Sequence, residues 1–108
     1  MTTIDATFVQ GNTGPDIVAQ LSDQLTKVPL NLTTAESVRF QMRKPDDRVF
    51  TVDAACAVTN AASGLVSYSW SAGDLNVEGE YDAQWEVHWN DGKIQTVAVP
   101  NRILVRRK

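Results

Sequence analysis

Hydrophobic and polar positions alternate with a period of two along the most strongly patterned stretch of the chain. Tyr81, Ala83, Trp85, Val87 and Trp89 share one parity, and Glu80, Asp82, Gln84, Glu86 and His88 share the other. This is the period of a strand with one buried and one solvated face. Shorter versions recur upstream. Val38, Phe40 and Met42 alternate with Arg39, Gln41 and Arg43, and Val66, Tyr68 and Trp70 alternate with Leu65, Ser67 and Ser69. The inward parity of the three segments predicts a core built on Phe40, Tyr68, Trp70, Tyr81, Trp85 and Trp89.

Weaker strands fill the intervals. A lead over Ile4–Val9 precedes the loop-forming run Gly11-Asn12-Thr13-Gly14-Pro15. Ile17–Leu21 reads as a strand; Asp16–Leu25 also fits a short helix opened by Pro15, and the strand is preferred because its neighbours are strands. Leu30-Asn31-Leu32 leads to a turn at Thr33-Thr34. Lys44-Pro45-Asp46-Asp47 ends the Val38 strand, because proline cannot donate to a ladder and aspartates favour turns. Val49–Val52 and Ala54–Val58 are predicted strands, Asn60–Gly64 a turn, and Ser71–Asp74 a break. Asp91-Gly92 between two alternating runs predicts a hairpin, with Lys93–Val99 returning and Arg102–Arg106 closing the chain after Pro100-Asn101. Short strands separated by turn residues predict an all-β antiparallel sandwich of about seven to nine strands. No repeat or linker divides it, so residues 1–108 are expected to form one domain, of a size that buries a real core.

Composition narrows the chemistry more than it identifies it. A net charge of −3 and a pI near 4.9 disfavour nucleic acid, which requires a basic face. The single cysteine, Cys56, excludes an intrachain disulfide and lies among small apolar residues, where an inert buried thiol is expected. His88 is the only histidine and sits on the wet parity, which leaves Cys56 without a base and zinc without ligands. No phosphate-binding loop and no serine–histidine–aspartate set is present. Glu78, Glu80 and Asp82 share a parity and form a carboxylate row suited to a hard cation or, more simply, to a solvated face that discourages edge pairing. The expectation is no enzyme, no cofactor and no metal. The N-terminus shows neither a basic region nor an apolar run, so no signal peptide and no membrane segment are expected.

Charge is concentrated at the C-terminus, where Arg102, Arg106, Arg107 and Lys108 occur without an acid between them. Such a strip is either a solvated strand end or a docking surface for an acidic partner.

The ordered segments resemble a known family. Gly11-Asn12-Thr13-Gly14-Pro15-Asp16-Ile17, Pro29-Leu30-Asn31-Leu32-Thr33, and Val38-Arg39-Phe40-Gln41-Met42-Arg43-Lys44-Pro45-Asp46 come first. Gly64-Leu65-Val66-Ser67-Tyr68, Gly79 through Val87, and Asp91-Gly92-Lys93 follow. The succession resembles the immunoglobulin-like N-terminal domain of tailed-phage baseplate upper proteins. The resemblance implies an immunoglobulin-like sandwich acting as a structural module that anchors appendages to a phage particle, with no catalytic residues to carry over. Gly79-Glu80-Tyr81 also resembles the tyrosine corner of such sandwiches. Ala83 stands where antibody domains carry a cysteine.

The expectation for function is therefore a virion structural protein, made in the host cytoplasm and attached to tail, baseplate, neck or capsid. It is expected in several copies, bound to other phage structural proteins. Candidate contacts lie at the ends: Thr2, Thr3, Ile4, Gln10 and Asn12 on an extended arm over residues 1–14, and Arg102, Arg106, Arg107 and Lys108 towards a basic tail over 106–108. A carbohydrate-binding adhesion module is the alternative, and it requires an exposed aromatic platform. A small hydrolase would require a cleft with convergent carboxylates.

Overall fold

A computed structural model describes residues 6–23, 25–98 and 102–108. Among them are nine strands: β1 (Ala6–Val9), β2 (Ile17–Gln20), β3 (Ala35–Arg43), β4 (Val52–Ala55), β5 (Ala57–Asn60), β6 (Leu65–Tyr68), β7 (Gly79–Trp89), β8 (Ile94–Val97) and β9 (Arg102–Arg106). The protein is all-β, with two sheets packed as a sandwich. The larger follows the order β1-β9-β7-β3-β4, with β8 also on β7, and the smaller is β2-β6-β5.

β7 is the spine. It pairs with β3 along one side from Asp82 to Trp89, and on its other side with β9 at Gly79–Asp82 and β8 at Trp85–His88. The inward parity of β7 is buried at Tyr81, Ala83, Trp85 and Val87, as the alternation requires. The hairpin into β8 closes through Asn90-Asp91-Gly92, where Gly92 takes a φ of 90° and its amide donates to the Trp89 carbonyl at 3.0 Å.

Rings from both sheets meet in the core. Phe40 of β3 stacks on Tyr68 of β6 at 5.1 Å between centroids and meets Trp85 at 4.9 Å and Trp70 at 5.6 Å. Trp70 lies two residues beyond the end of β6 and is nevertheless buried, because Phe8 of β1 meets it edge-on at 5.0 Å. Each fully enclosed large apolar side chain contributes about 1.5–3 kcal/mol. Tyr81 donates its hydroxyl to the Val77 carbonyl at 2.6 Å, the upstream backbone bond of a tyrosine corner.

Several expectations need correction. Every strand pairing is antiparallel except β1 with β9, which is parallel with Ala6 opposite Ile103 and Val9 opposite Arg106. The expected arm over residues 1–14 is not free where it is described: Ala6–Val9 form β1, while Thr2, Thr3 and Ile4 lie outside the described residues. The predicted strand Val49–Val52 begins only at Val52, because the turn after Lys44 extends through Val49, which is exposed. Ala54–Val58 is not one strand. The chain breaks at Cys56, whose amide donates to the Val38 carbonyl at 3.1 Å, and passes from the large sheet (β4) to the small one (β5). The strand preferred over a short helix in this region is present, as Ile17–Gln20. Trp89 is only partly buried, since β3 bulges between Ala35 and Ser37 and cover thins at that end of β7.

One glycine is required by close approach. Gly64 has a φ of 70°, and a Cβ there would lie 2.6 Å from the Leu21 carbonyl oxygen and 2.8 Å from that of Leu30. It lets the turn Ala61–Ser63, capped by Asn60, sit against the backbone of Leu21 and Leu30.

Candidate interaction surface at the paired termini

Parallel pairing of β1 with β9 carries the residues that follow β1 and the residues that end β9 to the same rim. The Gln10 amide donates to the Arg106 carbonyl at 2.8 Å, and its side-chain Nε2 donates to the Asn76 carbonyl at 2.7 Å. The Lys108 amide reaches Gln10 Oε1 at 3.5 Å. Gly11, with a φ of 82°, donates to Leu75, and exposed Asn12 donates its amide to Val9. Gln10, Asn12, Arg106, Arg107 and Lys108 are thus gathered on one rim by backbone pairing that no spacing in the sequence announces.

Arg102 stands apart from this group. It opens β9 at the opposite end and is held by its own chain, with Nη1 3.2 Å from Glu80 Oε2 and Nε 3.1 Å from Asp82 Oδ1. Arg107 lies 3.8 Å from Glu78 and remains largely in solvent. The carboxylate row Glu78, Glu80 and Asp82 is therefore matched by arginines of β9 and the segment after it. Among the described residues no group of three or more His, Cys, Asp or Glu side chains converges as a metal site. Arg106 and Lys108 are exposed at the rim. The positive charge left available there belongs to Arg106, Lys108 and, loosely, Arg107.

The reactive groups are occupied or muted. Burial pushes the Cys56 thiol up to about 11, so little thiolate exists near neutrality. His88 Nε2 lies 2.6 Å from Glu86 Oε1 on the outer face of the large sheet. Tyr68 is pushed up to about 12, first by burial and then by its hydroxyl's 2.6 Å hydrogen bond to Asp74 Oδ2. That carboxylate also accepts the Ser71 amide at 2.8 Å, latching the loop after β6.

Of the aromatic residues, Phe40, Tyr68, Trp70, Tyr81 and Trp85 are buried. Trp89 is partly covered, its indole N–H donating to Gln95 Oε1 at 3.3 Å. Phe8 and Phe50 are likewise partly buried, and no described aromatic ring is fully exposed.

Two features escaped the sequence pattern. Gln41, on the polar parity of β3, is only 4% exposed. Its amide contacts Asp53 Oδ1 and Glu86 Oε2, each at 3.4 Å, and its oxygen accepts from Gln84 at 2.8 Å. It bridges the Arg39–Asp53 ion pair to the Glu86–His88 pair. The second feature is an open groove of about 390 Å³ on the outer face of the small sheet, lined by Val18, Ala19, Gln20, Thr59, Leu65 and Val66. The outward Val18 and Leu65 were its only signal in the sequence.

Two sheets closed around an aromatic core, with the first and last described strands paired side by side, define a small all-β structural module. Residues 7–102 match the BppU N-terminal domain, and the chain belongs to that family, the N-terminal domain of the baseplate upper protein. The match runs from β1 to the start of β9 and so takes in both sheets. No curated protein matches the chain. Family membership implies a phage baseplate structural domain that interacts with other phage structural proteins. No helix among the described residues is long and apolar enough to cross a membrane.

Proposed function

We propose that this chain is a non-catalytic immunoglobulin-like module of the virion, present in several copies at the baseplate and attached to neighbouring structural proteins through the rim where β1 and β9 end. The observation that carries this reading is the parallel β1–β9 pair, which sets Gln10 and Asn12 beside Arg106, Arg107 and Lys108 on one rim. Arg106 and Lys108 supply positive charge for an acidic partner surface, and their attraction is screened within about 8–10 Å at ordinary salt. Arg102 contributes by fixing β9 against β7 rather than by touching the partner.

Electron microscopy of intact particles, with the chain located in the density, tests the assignment. The expected result is several symmetry-related copies at the baseplate, with the β1–β9 rim against a neighbour. A chain absent from purified particles would overturn it. Rebinding of the purified chain to particles assembled without it should weaken with added salt and on combining Arg106→Glu with Lys108→Glu. Binding indifferent to both would remove the terminal rim from the proposal.

A further inference from the structure

Strand β1 is held in its sheet from one side only. It is the first of the described strands, and its four residues pair in parallel with β9 and with no other strand. Parallel pairing is slightly weaker per residue than antiparallel. Lifting β1 away would leave β9 on β7 and every other pairing in place. The turn that follows, over residues 9–12, closes on itself, the Asn12 amide donating to the Val9 carbonyl at 3.0 Å. Residues 13–16 then cross to the small sheet. All four are exposed, and their backbone makes no hydrogen bond to the described residues. β1 and its turn therefore form one unit hung on a short hinge that contains Gly14. The slot this unit fills is equally well defined. Phe8 sets its ring edge-on against Trp70 at 5.0 Å. Past the strand, Gln10 donates to the Arg106 and Asn76 carbonyls, and Gly11 donates to that of Leu75.

We propose that β1 is exchanged between neighbouring copies, the β1 of each filling the slot beside β9 of the other. Every contact that holds β1 in its own chain is available unchanged in a second copy. A strand of another sequence would have to reproduce the register from Ala6–Ile103 to Val9–Arg106 and the ring of Phe8. Exchange of an identical element is for that reason a low-cost route to assembly. Only the hinge changes. The five Cα steps from Asn12 to Ile17 reach about 17–18 Å when straightened. The module is 24 Å across its thinnest dimension, so exchange holds the two copies in direct contact. Both forms keep the same strand pairing, and concentration decides between them. A strand on a short flexible linker competes at an effective concentration on the order of 1 mM. Dilute chains therefore stay closed, and copies packed side by side on a particle reach the range where exchange competes. In the exchanged pair, Gln10 and Asn12 of one copy stand beside Arg106 and Lys108 of the other, so two chains build the rim proposed above as the contact. Exchange deepens that reading and takes from it only the crowding of copies.

Disulfide trapping on the purified chain tests this, in a Cys56→Ala background. Thr7 and Leu104 stand opposite one another in the β1–β9 register. A Thr7→Cys preparation and a Leu104→Cys preparation are mixed at about 1 mM and oxidised. The expected product is a mixed dimer on a non-reducing gel, its disulfide located by mass spectrometry. Deleting Thr13 and Gly14 should raise the yield several-fold, because a hinge too short to fold back invites exchange. A Gly-Ser-Gly-Ser insertion there should lower it several-fold, and carries the comparison alone if the shortened chain unfolds by circular dichroism. Thr7→Cys mixed with Thr96→Cys, on β8, gives the yield of random collision. The doubly substituted chain, oxidised when dilute, checks that the two cysteines close within one copy; if they do not, Val9→Cys and Arg106→Cys, the next opposed pair, take their place. Absence of a mixed dimer overturns the exchange, as does a yield indifferent to hinge length or no higher than that of the Thr96→Cys mixture. All of this is read on the free chain, whereas the baseplate assignment is read on particles, so the two fail separately.

Discussion

The outer faces of the two sheets solve the problem of meeting water in opposite ways. On the large sheet, polar side chains stand opposite one another across β4, β3, β7 and β9 and are tied together. Arg39 bonds Asp53, Gln41 links that pair to Glu86, and Arg102 holds Glu80 and Asp82. The small sheet shows aliphatic and hydroxyl side chains, with a groove instead of a network. Both faces cover the same aromatic core, so burial cannot account for the contrast. A face whose charges are already spent on one another is finished as a surface, whereas a face without charges leaves apolar area in water that only another apolar surface relieves.

The most severe disruption acts on what the two sheets share. Phe40→Ala removes the ring that reaches Tyr68, Trp70 and Trp85, and should cost about 3–5 kcal/mol in chemical denaturation. A smaller loss would mean that the sheets are joined chiefly by other contacts. Gln41→Leu isolates the networked face. It keeps the bulk of the side chain, withdraws the acceptor from Gln84, and should cost about 1–3 kcal/mol. A neutral or stabilising result would show that the bridging amide adds nothing to the two side-chain pairs it connects. Tyr81→Phe removes only the hydroxyl bond to Val77 and should cost about 0.5–1.5 kcal/mol in the same measurement.

The smallest effect belongs to the exposed pair on the networked face. Arg39→Ala should cost under about 1 kcal/mol, because both partners are more than a third exposed and screened by solvent. Its pH dependence is more telling than its size. The Arg39 side-chain bond holds the Asp53 carboxyl below its usual 3.8. A depressed carboxylate contributes stability that is complete above the unfolded value and fades as pH falls through the folded one. The gap between the parent and Arg39→Ala should therefore be steady above about pH 5 and close as pH drops below about 3.8. A gap that persists at low pH would assign the arginine's effect to packing of its aliphatic stem.

Strand β7 was legible because every second residue from Tyr81 to Val87 reports the same face, and because Asp91-Gly92 marks where the strand must turn. The hidden parts depend on neighbours distant in sequence. Trp89 keeps the inward parity but runs past the cover provided by β3, and Trp70 leaves its strand yet is sealed by Phe8. Gln41 reads as an ordinary solvated position until β4 and β7 close on it from both sides. The parallel pairing of Ala6–Val9 with Ile103–Arg106 had no local signature, since neither segment carries a turn or pattern naming the other. The proposed rim shares that limit: its residues were visible as a basic tail and a polar lead, and their adjacency was not.

The parallel β1–β9 pair also decides how the module bears a load. Because the two strands run in the same direction, opposed pulls entering at Ala6 and leaving at Arg106 slide one strand along the other. The hydrogen bonds of all four opposed residue pairs are then stressed together, in shear. An antiparallel pair pulled from the same end would open one bond at a time, like a zipper. Force spectroscopy through handles at these two points should find a single abrupt rupture, higher in force than when the handles are placed to peel β1 away. In a device anchored by one end and tugged at the other, the first and last strands would serve as a tension clasp.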